Sequence, residues 1–130
     1  MAAAVRGLLD TSVVIATEAL DLPDEAAISA ATIAELHFGV HLARTDEQRR
    51  ARVRRLTEIE SRFDPLPIDA PVARSYGTLA DLVVTARRQP RRRAMDLLIA
   101  ATAHAHGVAL YTRNVDDLTG LEAEIEWRLV

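Results

Sequence analysis

The sequence predicts a single α/β domain with a parallel sheet covered by helices on both faces. Three observations predict it. Short apolar runs that read as strands (VRGLLD, AAISA, VALYT) alternate with longer segments of helical period, the order that builds parallel sheets. Nearly half of the 130 residues are hydrophobic, which suits one core of ordinary size. No internal repeat, linker or low-complexity stretch divides the chain, so residues 1–130 read as one domain.

VRGLLD (Val5–Asp10) reads as a short buried strand ending on an acid. TSVVIATEAL follows as a helix capped by Thr11 or Ser12, whose hydroxyls suit an N-cap, and DLPDE as a turn. AAISA (Ala26–Ala30) is compatible with a second short strand. A helical stripe of Ile33, Leu36 and Val40 starts at Thr32. Thr45, Asp46 and Glu47 open the next helix with acids at its positive end. That helix sets Val53, Leu56, Ile59 and Phe63 on one side and arginines on the other. Asp64–Asp69 is a strand or extended connection broken twice by proline. Pro71 suits the first turn of a helix through Val72, Tyr76, Leu79 and Val83. ARRQPRRR is a loop, where Pro90 stops the helix. After those arginines a helix apolar on nearly every face until His104 runs to Gly107, its C-cap. VALYT is then a buried strand, RNVDDLTG a loop and EIEWRLV a final strand.

Composition excludes several classes. Without cysteine there is no disulfide scaffold, thiolate zinc site or thiol nucleophile, and the chain fits a reducing cytoplasm. The start lacks a basic region and a long apolar run, so no signal peptide is expected. No segment approaches the roughly 20 apolar residues of a membrane span. A net charge of −3 argues against a bulk nucleic-acid binder. Every positive side chain is nevertheless arginine, and many cluster at residues 49–55 and 87–93.

The acids carry the chemistry. Sites in open α/β sheets form at the carboxyl ends of the strands. Asp10 ends the first strand, and Asp116 and Asp117 follow VALYT. Glu35 lies near the start of the helix leaving AAISA, and Asp96 in the first turns of the apolar helix. Such acids converge at low cost only if protonated or neutralised by a cation. Oxygen ligands of this kind suit Mg²⁺ or Mn²⁺, ions that clamp a phosphodiester and acidify an attacking water. Arg91, Arg92 and Arg93, directly before Asp96, would form a basic rim for the rest of a nucleic acid. Arg113 is a further phosphate candidate.

LLDTSVVIA, ISAATIAELHFGV, RRRAMDLLIAATAHAHG and LYTRNVDDL, in that order over residues 8–118, closely resemble a PIN domain, specifically the VapC-type toxin ribonucleases. The D-x-x-I-A-A-x-A helix of that family is matched by Asp96, Ile99, Ala100, Ala101 and Ala103. Its T-x-N loop is matched by Thr112 and Asn114 with Asp116 and Asp117 beside them. The glutamate helix is matched approximately: Ser29 supplies the spacing to Glu35 that Thr32 does not. The resemblance implies a three-layer α/β/α sandwich with a central parallel sheet and Mg²⁺- or Mn²⁺-dependent cleavage of RNA phosphodiesters. It makes Asp10 and Asp96 the principal metal ligands and Glu35 a further ligand or water-orienting acid. The fourth acid is Asp117, with Asp116 as the alternative. Thr11, Ser12 and Thr112 become hydroxyls that orient carboxylates or water. The resemblance also implies a homodimer and a cognate VapB-type antitoxin.

Other readings compete with this one. His37 and His41 have a zinc-compatible spacing, but lack the glutamate of a protease motif and an evident third ligand. His104 and His106 suit the last turn of a helix. A phosphoacceptor role for Asp10 asks for a second acid two residues on or for a lysine; position 12 is Ser12, and there is no lysine. The remaining alternative is a catalytically silent PIN-like module that binds RNA or a protein partner.

Overall fold

Arg6–Leu9 (β1), Glu25–Ala27 (β2), Ala109–Thr112 (β3) and Trp127–Leu129 (β4) form one parallel sheet in the order β2-β1-β3-β4. The computed structural model describes residues 3–86 and 93–130, apart from the side chain of Asp117. Arg91 and Arg92, and with them most of the loop predicted at ARRQPRRR, lie outside the described residues.

Alternation along the two central strands divides the core. Leu8 and Leu110 are paired in register. They share one face with Val72, Leu79 and Val83 of α4 (Ala70–Thr85) and with Leu97 and Ala101 of α5 (Ala94–His106). The next pair, Leu9 and Tyr111, points to the opposite face, as successive side chains of a strand must. There they meet Val13 and Val14 of α1 (Thr11–Val14) and Ile59 of α3 (Asp46–Arg62). The result is the three-layer α/β/α sandwich expected.

Several boundaries differ from the sequence reading. The helix predicted over TSVVIATEAL is the single turn α1, because Val13, Val14 and Ile15 are consecutive β-branched residues that lower helix propensity. The strand predicted at Ala26–Ala30 ends at Ala27, and α2 (Ala30–His41) starts two residues before Thr32. Ser29 decides this: its side chain accepts from the Ala31 N–H at 3.0 Å as an N-cap. It is fully buried and shares a 3.0 Å hydrogen bond with the Thr102 hydroxyl on α5. Of Asp64–Asp69 only Leu66 joins the sheet region, donating to the Ile28 carbonyl and accepting from the Ala30 N–H, both at 2.9 Å. Pro65 and Pro67 have no N–H to extend that pairing. α4 starts at Ala70 under an Asp69 cap, and α5 closes on Gly107 at φ 64°, as predicted. The final strand is shorter than EIEWRLV because Leu121 and Ile125, four apart, bury their side chains within turns.

Gly7 shows how tightly the second face is packed. A methyl group there would overlap the ring of Tyr111 and come within 3.1 Å of Pro23 Cγ. Overpacking of this kind costs roughly 1–3 kcal/mol. Gly7→Ala is therefore expected to lower the stability measured by urea denaturation by about that amount, whereas Gly77→Ala, where a methyl meets nothing within 4 Å, is not.

Candidate active site

The carboxyl ends of β1 and β3 meet at one edge of the sheet, and the polar residues collect there. Asp10 follows β1 directly and is the only buried carboxylate among the described residues whose burial is resolved, at 6% exposure. Three groups meet it. The Thr11 N–H donates to Oδ1 at 2.8 Å, and the Ser12 and Thr112 hydroxyls donate to Oδ2 at 3.0 and 2.9 Å. A buried charge is tolerable when it is hydrogen-bonded in this way. Its own N–H donates to the Tyr111 carbonyl at 2.8 Å, so the residue is fixed through both backbone and side chain.

Thr11 carries the connection to the second acid. Its backbone N–H serves Asp10, while its hydroxyl donates to Glu35 Oε1 at 2.7 Å and lies 3.1 Å from the Thr32 hydroxyl. Glu35 reaches this place because α2 rises from Ser29 beside α1. Thr32 and Glu35, three apart, then fall on one helix face. A cavity of about 460 Å³ opens beside Glu35, lined by Thr11, Ile15, Leu36, Gly39, Arg52 and Arg55 among others.

Asp96 sits partly buried in the first turn of α5. Gly107 and Val108 reverse the chain between α5 and β3, so the start of α5 stands at the edge where β3 ends. Its neighbour Met95 lines a cavity together with Glu35, Phe38 and Leu42, which brings this turn beside α2. The loop after β3 is tied to the same network. Arg113 N–H donates to Ser12 Oγ at 3.2 Å, and Asn114 N–H to Thr112 Oγ1 at 3.1 Å. Asn114 Oδ1 then accepts from the Asp116 N–H at 3.2 Å, capping a short 3₁₀ turn, Val115–Leu118. Asp10, Thr11, Ser12, Glu35, Thr112, Arg113 and Asn114 thus form one hydrogen-bonded unit. Asp116 is exposed on the adjoining turn, and the side chain of Asp117 lies outside the description.

Of the basic rim expected at Arg91, Arg92 and Arg93, only Arg93 lies among the described residues. Arg93 turns inward and donates to the Thr119 carbonyl at 3.0 Å, bracing the loop of Asp116 against the start of α5. Arg52 donates to the Gly39 carbonyl at 2.6 Å and Arg55 to the Val14 carbonyl at 2.7 Å. These carbonyls lie in the last turns of α2 and α1, where guanidinium groups satisfy them well. Arg113 instead pairs through its side chain with Glu18, a residue that sequence reading missed. Glu18 has no motif position, and its contact spans 95 residues of chain. A hydrogen bond from its own backbone, helped by the Arg113 guanidinium, holds the Glu18 carboxyl below the ordinary glutamate range. Thr32, which supports Thr11, passed only as a helix start.

The histidines do not form a metal centre among the described residues. His37 meets Glu60 at 2.7 Å, bridging α2 and α3, and His104 lies between Ser75 and Glu124 at 2.8 and 3.0 Å. Trp127 packs against the core.

Among the described residues no three acids or histidines form a ready cluster for a metal. The donor chemistry still fits a hard cation. A carboxylate has about four acceptor positions, and the three donors described leave one on Asp10, beside the Thr11-linked Glu35. Mg²⁺ is commonly held by one or two carboxylates with several waters kept.

The Asp10 network makes a stability prediction. Thr112→Val keeps the shape of the side chain but removes a fully buried donor, leaving a charged acceptor short of a partner. About 1–3 kcal/mol should be lost in urea denaturation.

The PIN domain family model matches residues 7–119. The chain is 39% identical over 124 residues to ribonuclease VapC5 of Mycobacterium tuberculosis, covering 89% of this chain and 87% of that protein. It is equally identical over 120 residues to ribonuclease VapC4 of the same organism, covering 85% and 88%. Among solved structures, VapBC-5 from Mycobacterium tuberculosis, a member of the VapBC family of toxin–antitoxin systems, matches with a TM-score of 0.82 at 32% identity, covering 97% of this chain and 98% of that one. FitAcB from Neisseria gonorrhoeae matches with a TM-score of 0.74 at 28% identity, covering 93% and 95%. With its sheet order, its acids at one sheet edge and these matches along nearly its whole length, the chain belongs to the PIN domain family, among the VapC-type proteins.

Proposed function

We propose that this protein is the toxin of a type II toxin–antitoxin module, a Mg²⁺- or Mn²⁺-dependent endoribonuclease that hydrolyses RNA phosphodiester bonds. One observation carries the reading: Asp10 and Glu35 are joined through Thr11 at the carboxyl edge of the sheet, with hydroxyls aimed at the buried carboxylate. Ribonuclease VapC5 and its relatives support the choice of substrate.

When bound, a divalent cation held by Asp10, Glu35, Asp96 and Asp117 supplies positive charge to a phosphodiester oxygen and acidifies a water. The chain itself provides fixed geometry. Thr11, Ser12 and Thr112 keep the Asp10 carboxylate in one orientation, and Thr11 does the same for Glu35. Such outer partners are worth about 10–100-fold in metal affinity or activity. Asp96, in the first turn of α5, is a charge that the otherwise apolar helix tolerates because the site draws on it. Asp116 stands on the rim of the site, and Asn114 shapes the turn that carries both loop acids.

The partner is a VapB-type antitoxin, a reading that the VapBC-5 structure supports, and a second copy of the chain completes a homodimer. Ile15, Phe38 and Leu42 are exposed apolar residues around Glu35, a surface of the kind that partner chains cover. No described helix is long and apolar enough to cross a membrane, and the proposed place of action is the cytoplasm.

Purified protein incubated with total cellular RNA should cut at a few sites with Mg²⁺ or Mn²⁺ and not with EDTA, read by sequencing new 5′ ends. Asp96→Asn should abolish cutting while leaving the circular dichroism spectrum unchanged. Cutting by that variant at the parental rate would remove Asp96 from the site. A folded, metal-loaded protein that binds RNA without cutting it would favour the silent module. Thr11→Val should keep the fold and reduce cleavage about 10–100-fold, with partial recovery at high Mn²⁺.

A further inference from the structure

The geometry points to Arg113 as the residue that grips an RNA phosphate at the rim of the acidic site, with Glu18 occupying its guanidinium as a stand-in for that phosphate when RNA is absent. This rests on the proposed RNA substrate but not on cleavage. Arg113 follows Thr112 directly, and its backbone N–H donates to Ser12 Oγ, which donates to Asp10. The root of its side chain is therefore two hydrogen bonds from the acid proposed to bind metal. The guanidinium reaches out from that anchored root to the Glu18 carboxylate.

The nature of the partner separates Arg113 from the other arginines described around the site. Arg52, Arg55 and Arg93 each hold a main-chain carbonyl, those of Gly39, Val14 and Thr119. Arg55 also reaches Glu58 at 3.7 Å, one turn along its own helix, whereas among the described residues Arg113 has only the Glu18 carboxylate against its guanidinium. The carbonyl oxygens belong to helix ends and a braced loop, and cannot step aside for a ligand. Glu18 is a side chain on the irregular segment between α1 and β2. Both members of its pair are open to solvent, at 39% exposure for Arg113 and 49% for Glu18. Exposed pairs of this sort are weak, so a phosphate, which accepts from arginine in the same forked geometry as a carboxylate, can take its place. The exchange forms a guanidinium–phosphate contact and releases a carboxylate to water, with no bond chemistry involved.

The test is binding without turnover. A fluorescein-labelled single-stranded RNA 12-mer of mixed sequence is titrated in EDTA by anisotropy at several salt concentrations, with wild type, E18A, E18Q, R113A and the double variant E18A/R113A. R113A should weaken binding and reduce the slope of log affinity against log salt by about 0.7, the value for one phosphate contact on a single strand. E18A and E18Q should each tighten binding about two- to fivefold, the weight of an exposed ion pair. In the R113A background the same loss of Glu18 should have no more than a marginal effect. Equal tightening with and without Arg113 would mean a general charge effect and overturn the proposal. An unchanged slope for R113A, weaker binding by E18A, or no binding by wild type would overturn it too. Binding with the expected pattern but no cleavage on adding Mn²⁺ would sink the ribonuclease reading and leave this one standing.

Discussion

The structure turns on a buried carboxylate. Asp10 stands at the end of a central strand, almost out of water, and a charge in that position must be met from several directions at once. α1 meets it with a backbone N–H and a serine hydroxyl, and β3 meets it with Thr112. Each of these donors is then held by something else. Thr112 accepts from Asn114, Ser12 accepts from Arg113, and Thr11 binds Glu35. The polar groups at this edge are arranged around one acid, and the loop after β3 takes its shape from them. The short α1 makes sense in the same terms. Its one turn delivers Thr11 and Ser12 to the carboxylate, and its two valines reach the core.

Much of this was legible in the chain. Alternating apolar runs gave the layers, because burial on both faces forces a continuous apolar pattern on a parallel strand. Asp10 was legible from its place at the end of a buried strand and Glu35 from its place on the helix that leaves the next one, whereas Thr11, Ser12 and Thr112 were marked as site residues only by the family resemblance. The two ends of β2 and α2 were not. Ser29 caps a helix and binds Thr102, 73 residues away, and a cap supported from another element has no local signature. The extended segment around Leu66 was half visible, since its prolines announce an irregular strand without saying which residue pairs.

Arginine was the residue type that the sequence described least well. A cluster of like charges suggests a solvated face or a nucleic-acid surface. Here the long side chains of Arg52, Arg55 and Arg93 cross to carbonyls on other elements. Nothing local marks such a target, because the acceptor is backbone and any residue supplies one. Glu18 escaped notice for the complementary reason. Its partner lies on the far side of the chain, and a lone acid in a loop has no pattern to break.

The hydrogen bond between Thr112 and Asp10 joins residues 102 positions apart. A growing chain made from its N-terminus presents Asp10, Thr11 and Glu35 early, and holds them without the strand that orders them until β3 has been made. Contacts of such separation form late in folding, since a long loop must close first. Assembly of the acidic centre is therefore coupled to the synthesis of β3. A truncated chain ending before β3 carries Asp10, Glu35 and Asp96 but lacks the Thr112 hydroxyl and the loop that follows it.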